Sequence, residues 1–244
     1  MQPDTPKNSN QPATSAGPVR GHGFFNPDSL PRIVPFGIYM AFIVVADLLA
    51  RAGWEAADQL WLYPVKILAV CAALWVYRSS YRELAWQGMA ARHWIEAIVT
   101  GIVVLVLWVN LDAPWMQVGS AAGYAPFGAD GRIDWLLVAC RIAGAALVVP
   151  VMEELFWRSF LMRWLERSTF LTVSPGSVRL FAFCVTAVLF GIEHTLWLAG
   201  IVAGIAYGAL YIRSGNLWSP ILAHAVTNGL LGGWIVLTEN WAYW

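Results

Sequence analysis

Two adjacent glutamates, Glu153 and Glu154, and an arginine, Arg158, lie inside the otherwise apolar stretch VMEELFWRSFL. Glu154 and Arg158 are spaced i, i+4 with the acid on the N-terminal side, so on a helix they share a face and can pair. Glu153 lies about 100° further round such a helix and is left without an evident partner. A carboxylate held unpaired in a low-dielectric setting is suited to move a proton. Two later apolar stretches supply complementary groups. FGIEH ends in His194, preceded by Glu193, and HAVTN sets His224 and Asn228 at i, i+4 on one face. Glu153, His194, His224 and Asn228 together could activate a water and stabilise an oxyanion. Glu153, His194 and His224 could equally hold a zinc ion.

The elements that must position these groups are membrane-spanning helices. The chain of 244 residues is 59% hydrophobic and only 12% charged, too apolar for an ordinary soluble domain. Several runs approach the ~20 residues that cross a bilayer core. An ionisable group at that depth costs a few kcal/mol, so it is kept where it pairs, faces a wet cavity or does chemistry. The fold class expected is all-α and polytopic, with about seven spans near 33–50, 60–77, 95–111, 133–157, 179–195, 197–213 and 219–237. The run from 179 to 213 is too long for one span and is broken near His194–Gly200.

Residues 1–31 read as a disordered polar tail that includes His22, 32–132 as three accessory spans, 133–237 as the catalytic core and 238–244 as a C-terminal tail. Arginines cluster on the segments that lie inside if the N-terminus is cytoplasmic. Lys7, Arg20, Arg32, Arg78, Arg82, Arg92, Arg163, Arg167, Arg179 and Arg213 fall there, against Arg51 and Arg132 outside. This bias places the N-terminus in the cytoplasm. Gly200, Gly204 and Gly208 recur every four residues, a surface for close helix packing. Pro150 removes one backbone donor just before the glutamates and frees a carbonyl toward the interior. Cys71, Cys140 and Cys184 stand singly and suggest neither metal nor disulfide. Lys66 and Arg141 read as snorkelling or internally paired cations. A net charge of zero gives no bulk attraction to nucleic acid.

The ordered trio of Glu153-Glu154-x-x-x-Arg158, Phe190-x-x-x-His194 and His224-x-x-x-Asn228 resembles the signature of the CPBP (ABI) family, the CAAX prenyl endopeptidases and their bacteriocin-processing relatives. The resemblance covers about residues 133–237 and leaves Glu193 unassigned. It implies an intramembrane endopeptidase, with Glu153 and His194 activating water. Arg158 would hold Glu154 as a supporting carboxylate, and His224 and Asn228 would polarise the scissile carbonyl. It fits either a zinc enzyme or a metal-independent glutamate peptidase. The expected partners are the lipid bilayer and a membrane-associated protein or peptide substrate, cut near the cytoplasmic face of a bacterial plasma membrane. A non-catalytic scaffold or immunity protein on the same fold is the alternative. No HExxH, GxGD or GxSG motif is present to support other intramembrane proteases, and no internal repeat suggests a transporter.

Overall fold

The computed structural model describes residues 23–86, 88–119, 123–128 and 130–244. Seven main helices follow in order: α1 Leu30–Arg51, α2 Leu62–Val76, α3 Ala91–Trp108, α4 Trp135–Trp164, α5 Leu180–Ile192, α6 Trp197–Ser214 and α7 Trp218–Thr238. No strand is present among the described residues, which hold a single β-bridge between Phe127 and Ile133. Six helical segments are long and apolar enough to cross a membrane. The exception is α5, whose 13 residues span only ~20 Å at 1.5 Å per residue. The seven helices expected are present, six of them long and apolar enough to cross a membrane. After α5 the chain is interrupted at Glu193–Leu196, inside the apolar run, before α6 resumes.

Residues 1–22, His22 among them, lie outside the described residues. The rest of the expected tail is built into the fold. Ser29 and Asn26 are buried, and Phe24 meets the rings of Phe160 and Trp164 edge-on at 5.1 and 5.0 Å. Just beyond, the Arg32 guanidinium grips Glu83 with two hydrogen bonds of 2.8 and 2.7 Å. Glu83 also accepts from Ser159 on α4. One end of the bundle is thereby tied together by charge that the bundle itself neutralises.

The longest helix, α4, is not uniform. Two stretches, Gly144–Val148 and Leu155–Leu161, are wound as π-helix, a local widening that is frequent at functional sites. The first has a cause in the sequence. In the π pattern Val149 N–H bonds Gly144 O, so the next acceptor, Ala145 O, would need the N–H that Pro150 lacks. The side chain of Asn228 fills that gap, donating from Nδ2 to Ala145 O at 2.9 Å. Proline thus opens α4, and α7 closes the opening.

Glycines bring α5 and α6 into backbone contact. A Cβ built on Gly204 would lie 2.9 Å from Ala187 O, and one on Gly200 would lie 2.8 Å from Gly191 Cα. Gly101 of α3 similarly touches α7 at Ala223 O. Association of helices in lipid relies on such packing, because the hydrophobic effect does not distinguish tail from side chain. Gly204→Ala is expected to cost on the order of 1–3 kcal/mol by overpacking. Gly233→Ala, which would meet nothing within 4 Å, is the control. Thermal unfolding in detergent should show the first variant melting lower and the second unchanged; equal melting of both would refute this account of the α5–α6 contact.

Candidate active site

Glu153 sits on α4 between the two π stretches and is only 6% exposed. Its Oε2 is buried and has no hydrogen-bond partner. Glu154, next along the chain, is fully buried; its Oε2 is likewise without a partner, but its other oxygen is paired. Its Oε1 accepts from Arg158 Nη1 at 3.1 Å and from His224 Nδ1 at 3.2 Å. Arg158 completes its own coordination on Gly204 O at 3.3 Å and lies 4.4 Å over the Phe190 ring. The close approach of α6 at Gly204 is therefore what lets the guanidinium reach a backbone carbonyl.

His224 is held on two sides. Glu154 takes Nδ1–H, Tyr207 stacks on the ring at 5.0 Å and 20°, and Nε2 is left 3.9 Å from Glu153 Oε2. Tyr207 is itself held by donating to Thr227 Oγ1 at 2.8 Å, and that hydroxyl bonds Gly101 O on α3 at 2.9 Å. His194 lies in the α5–α6 turn. Its Nδ1 is 2.7 Å from Phe190 O; a carbonyl only accepts, so Nδ1 carries the proton and Nε2 keeps its lone pair. Trp108 of α3 packs edge-on against this ring at 5.2 Å.

Glu153, His194, His224 and Asn228 all line one cavity of about 170 Å³, room for a few waters. Their convergence requires a depth for Glu153 that the expected span boundary did not give it. α4 continues to Trp164 instead of ending near residue 157, which sets Glu153 about three turns, ~17 Å, above that helix end. The short α5 brings His194 to a similar height. Glu154 and Arg158 stand behind this wall and reach the cavity through His224.

Two features differ from expectation. The donor atoms of Glu153, Glu193 and His194 lie within 4.8 Å of one another, so the metal-capable cluster includes Glu193, while His224 is engaged by Glu154. Glu193 is oriented by Trp157, whose Nε1 donates to its Oε1 at 3.1 Å. Asn228 has one amide N–H committed to Ala145 O, leaving the second for the cavity. Sequence reasoning also overlooked Tyr207, Thr227 and Trp108. Thr227 sits within HAVTN, three residues after His224, and was open to notice; Trp108 carries no pattern beyond an apolar span. The lining runs on to Arg141, Tyr243 and Trp244. This is the bundle end that the arginine bias assigns to the outside, so within that frame the cavity does not fit cleavage near the cytoplasmic face.

Residues 135–230 match the family model of the type II CAAX prenyl endopeptidases, Rce1-like. The matched segment begins at the first residue of α4 and ends within α7, and it contains Glu153, Glu154, Arg158, Glu193, His194, His224 and Asn228. Over this segment, 96 of the 244 residues, the chain is similar to this CAAX-protease-like family, and its described residues form an all-α polytopic membrane fold. No curated protein and no solved structure matches the chain.

Removing Arg158 would leave Glu154 buried and uncompensated. Arg158→Ala is expected to lower stability by about 3–5 kcal/mol, whereas the double variant Glu154→Gln, Arg158→Met, which removes both charges, should recover much of that loss. A double-mutant cycle on unfolding in detergent micelles measures the coupling; additive effects would show that the pair does not hold this site.

Proposed function

We propose that this chain is an intramembrane endopeptidase that hydrolyses a peptide bond of a membrane-anchored protein or peptide. The observation that carries this reading is the buried, unpartnered Oε2 of Glu153 facing a water-sized cavity that His194, His224 and Asn228 also line. A water between Glu153 and His194 Nε2 would give one proton to each acceptor in hydrogen bonds. Glu153 then removes a proton as the water oxygen adds to the scissile carbonyl carbon. The free N–H of Asn228 meets the oxyanion that forms, and Glu154 with Arg158 keeps the neighbouring His224 ring in register. The proton on Glu153 passes to the departing amine, which balances the hydrolysis.

A divalent metal ion would fit Glu153, Glu193 and His194, since each presents an oriented donor and the three converge within 4.8 Å. Bound there, it would supply Lewis-acid activation of water. The originally expected ligand His224 fits less well, because its Nδ1 serves Glu154. The metal-independent route uses the same Glu153 and His194 and needs no further group. The arginine-rich end of the bundle is read as cytoplasmic.

Glu153→Gln keeps size and hydrogen bonding but cannot take a proton. It should fold and insert normally while losing about 10²–10⁴-fold in cleavage rate. Asn228→Ala removes one oxyanion donor and should cost about 10²–10³-fold. Cleavage of a membrane-anchored peptide by purified protein in nanodiscs measures both, and wild-type rates for Glu153→Gln would reject the reading. Metal analysis of the same preparation, with and without chelator, tests the ion. Stoichiometric zinc that is lost in Glu193→Gln, together with activity restored by zinc, supports the metal route; unchanged cleavage in chelator supports the metal-free one.

A further inference from the structure

Beside the neutral pair of Arg32 and Glu83, the arginine-rich end of the bundle buries one cation more than it cancels. Arg32 is 1% exposed and Arg163, in the last turn of α4, is 6% exposed. Both guanidinium groups lie against the Phe170 ring, 5.3 and 5.6 Å from its centre. Glu83 answers only Arg32, at 2.7 Å. Two further acids of this end, Glu166 and Glu96, are engaged by the exposed Arg179 and Arg213. Arg163 has no carboxylate within ion-pair distance among the described residues. Its bonds go to Ser159 O at 2.6 Å, Ser159 Oγ at 2.7 Å and Val173 O at 3.4 Å. These acceptors are uncharged, and they use three of the five guanidinium N–H groups.

A cavity of about 130 Å³ lies where the turns after α2, α4 and α6 meet, and Glu83, Arg163, Tyr211 and Asn216 line it. At ~30 Å³ for each water displaced, it has room for a small oxyanion. Glu83 brings no free charge to this space, because Arg32 holds both of its oxygens. The Tyr211 hydroxyl makes no hydrogen bond among the described residues. Asn216 gives one amide N–H to Gly88 O at 3.4 Å and keeps the second. A cationic donor on α4, a hydroxyl on α6 and an amide in the turn before α7 therefore border one space. Donors from three separate elements suit the three acceptor oxygens of a phosphate group. A buried charge without a counter-charge is costly, and at a membrane it marks a site that meets a ligand. Ten residues, or ~15 Å of helix, separate Arg163 from Glu153, so the hydrolysis makes no use of it.

We propose that this cavity binds a phosphate group, held by Arg163, Tyr211 and Asn216 and supplied by the headgroup of an anionic phospholipid or by free phosphate. Basic pockets between helices at a cytoplasmic surface hold such headgroups. The bound group ties the end of α4 to the turn between α6 and α7. The site is independent of the peptidase reading.

The full chain in phosphatidylcholine nanodiscs is titrated with radiolabelled inorganic phosphate. In parallel, protein moved from phosphatidylglycerol membranes into phosphatidylcholine is analysed by native mass spectrometry for retained phosphatidylglycerol. Saturable binding of one phosphate per chain assigns the source to the free anion, and one retained phosphatidylglycerol assigns it to the lipid; either supports the site. In the arm that binds, Arg163→Gln should weaken binding about 10- to 100-fold, as charge-assisted hydrogen bonds do, and Tyr211→Phe about 3- to 10-fold, as a neutral one does. Tyr211→Phe keeps the ring and serves if Arg163→Gln does not fold. Arg92→Gln, which removes an exposed cation of the same end, should change nothing. Binding of neither ligand, binding that Arg163→Gln and Tyr211→Phe leave intact, or an equal loss in Arg92→Gln would overturn the proposal. Displacement by equimolar acetate would make the cavity a carboxylate site and overturn it as well.

Discussion

Everything at the centre of this bundle is arranged around one fully buried carboxylate. Glu154 has no exposure to solvent, and its charge is met by Arg158 on one side and by a ring nitrogen of His224 on the other. Such a pair gains little over an apolar substitute, because the cost of stripping water from two ions offsets their attraction. What it provides is geometry. Arg158 must also find Gly204 O and the faces of Phe190 and Tyr207, so the pair forms only when α4, α5 and α6 are in register. His224 brings in α7 by the same logic. Four helices are thus positioned by one interaction that tolerates no slippage.

A second constraint comes from the backbone. Pro150 and the π turn before it leave Ala145 O without a helical donor, and Asn228 supplies one from α7. In hydrocarbon an unsatisfied carbonyl is costly, so this cross-helix bond sets the rotation of α7 relative to α4. The same residue keeps a second N–H beside the cavity. A structural repair and a candidate oxyanion donor are therefore one side chain, and stability and chemistry share the position.

The accessory helices do more than frame the core. Trp108 of α3 braces His194, Tyr39 of α1 lines the cavity, and Tyr63 of α2 lies under Arg141. Aromatic rings suit this boundary because they offer an apolar body to lipid and helix and a polar edge or face to the charges within. The family match stops short of these helices, yet they build part of the wall of the cavity.

What the sequence determined by itself is what helical periodicity and composition can carry. The apolar runs specified an all-α membrane protein, the i, i+4 spacing specified that Glu154 and Arg158 pair, and the ordered trio of polar motifs pointed to the cluster of Glu153, His194, His224 and Asn228. The glycine stripe on α6 was also legible, because one residue in four on a helix is a single face. Contacts between helices were decided only by the tertiary structure. That His224 answers Glu154, that Glu193 joins Glu153 and His194, and that Asn228 repairs Ala145 depend on the depth and rotation of separate helices. Those quantities were moved by features with weak sequence signals: the extension of α4 to Trp164, its two π stretches and the 13-residue length of α5. Local spacing fixes which side chains share a helix face, whereas packing across the bundle fixes which faces meet.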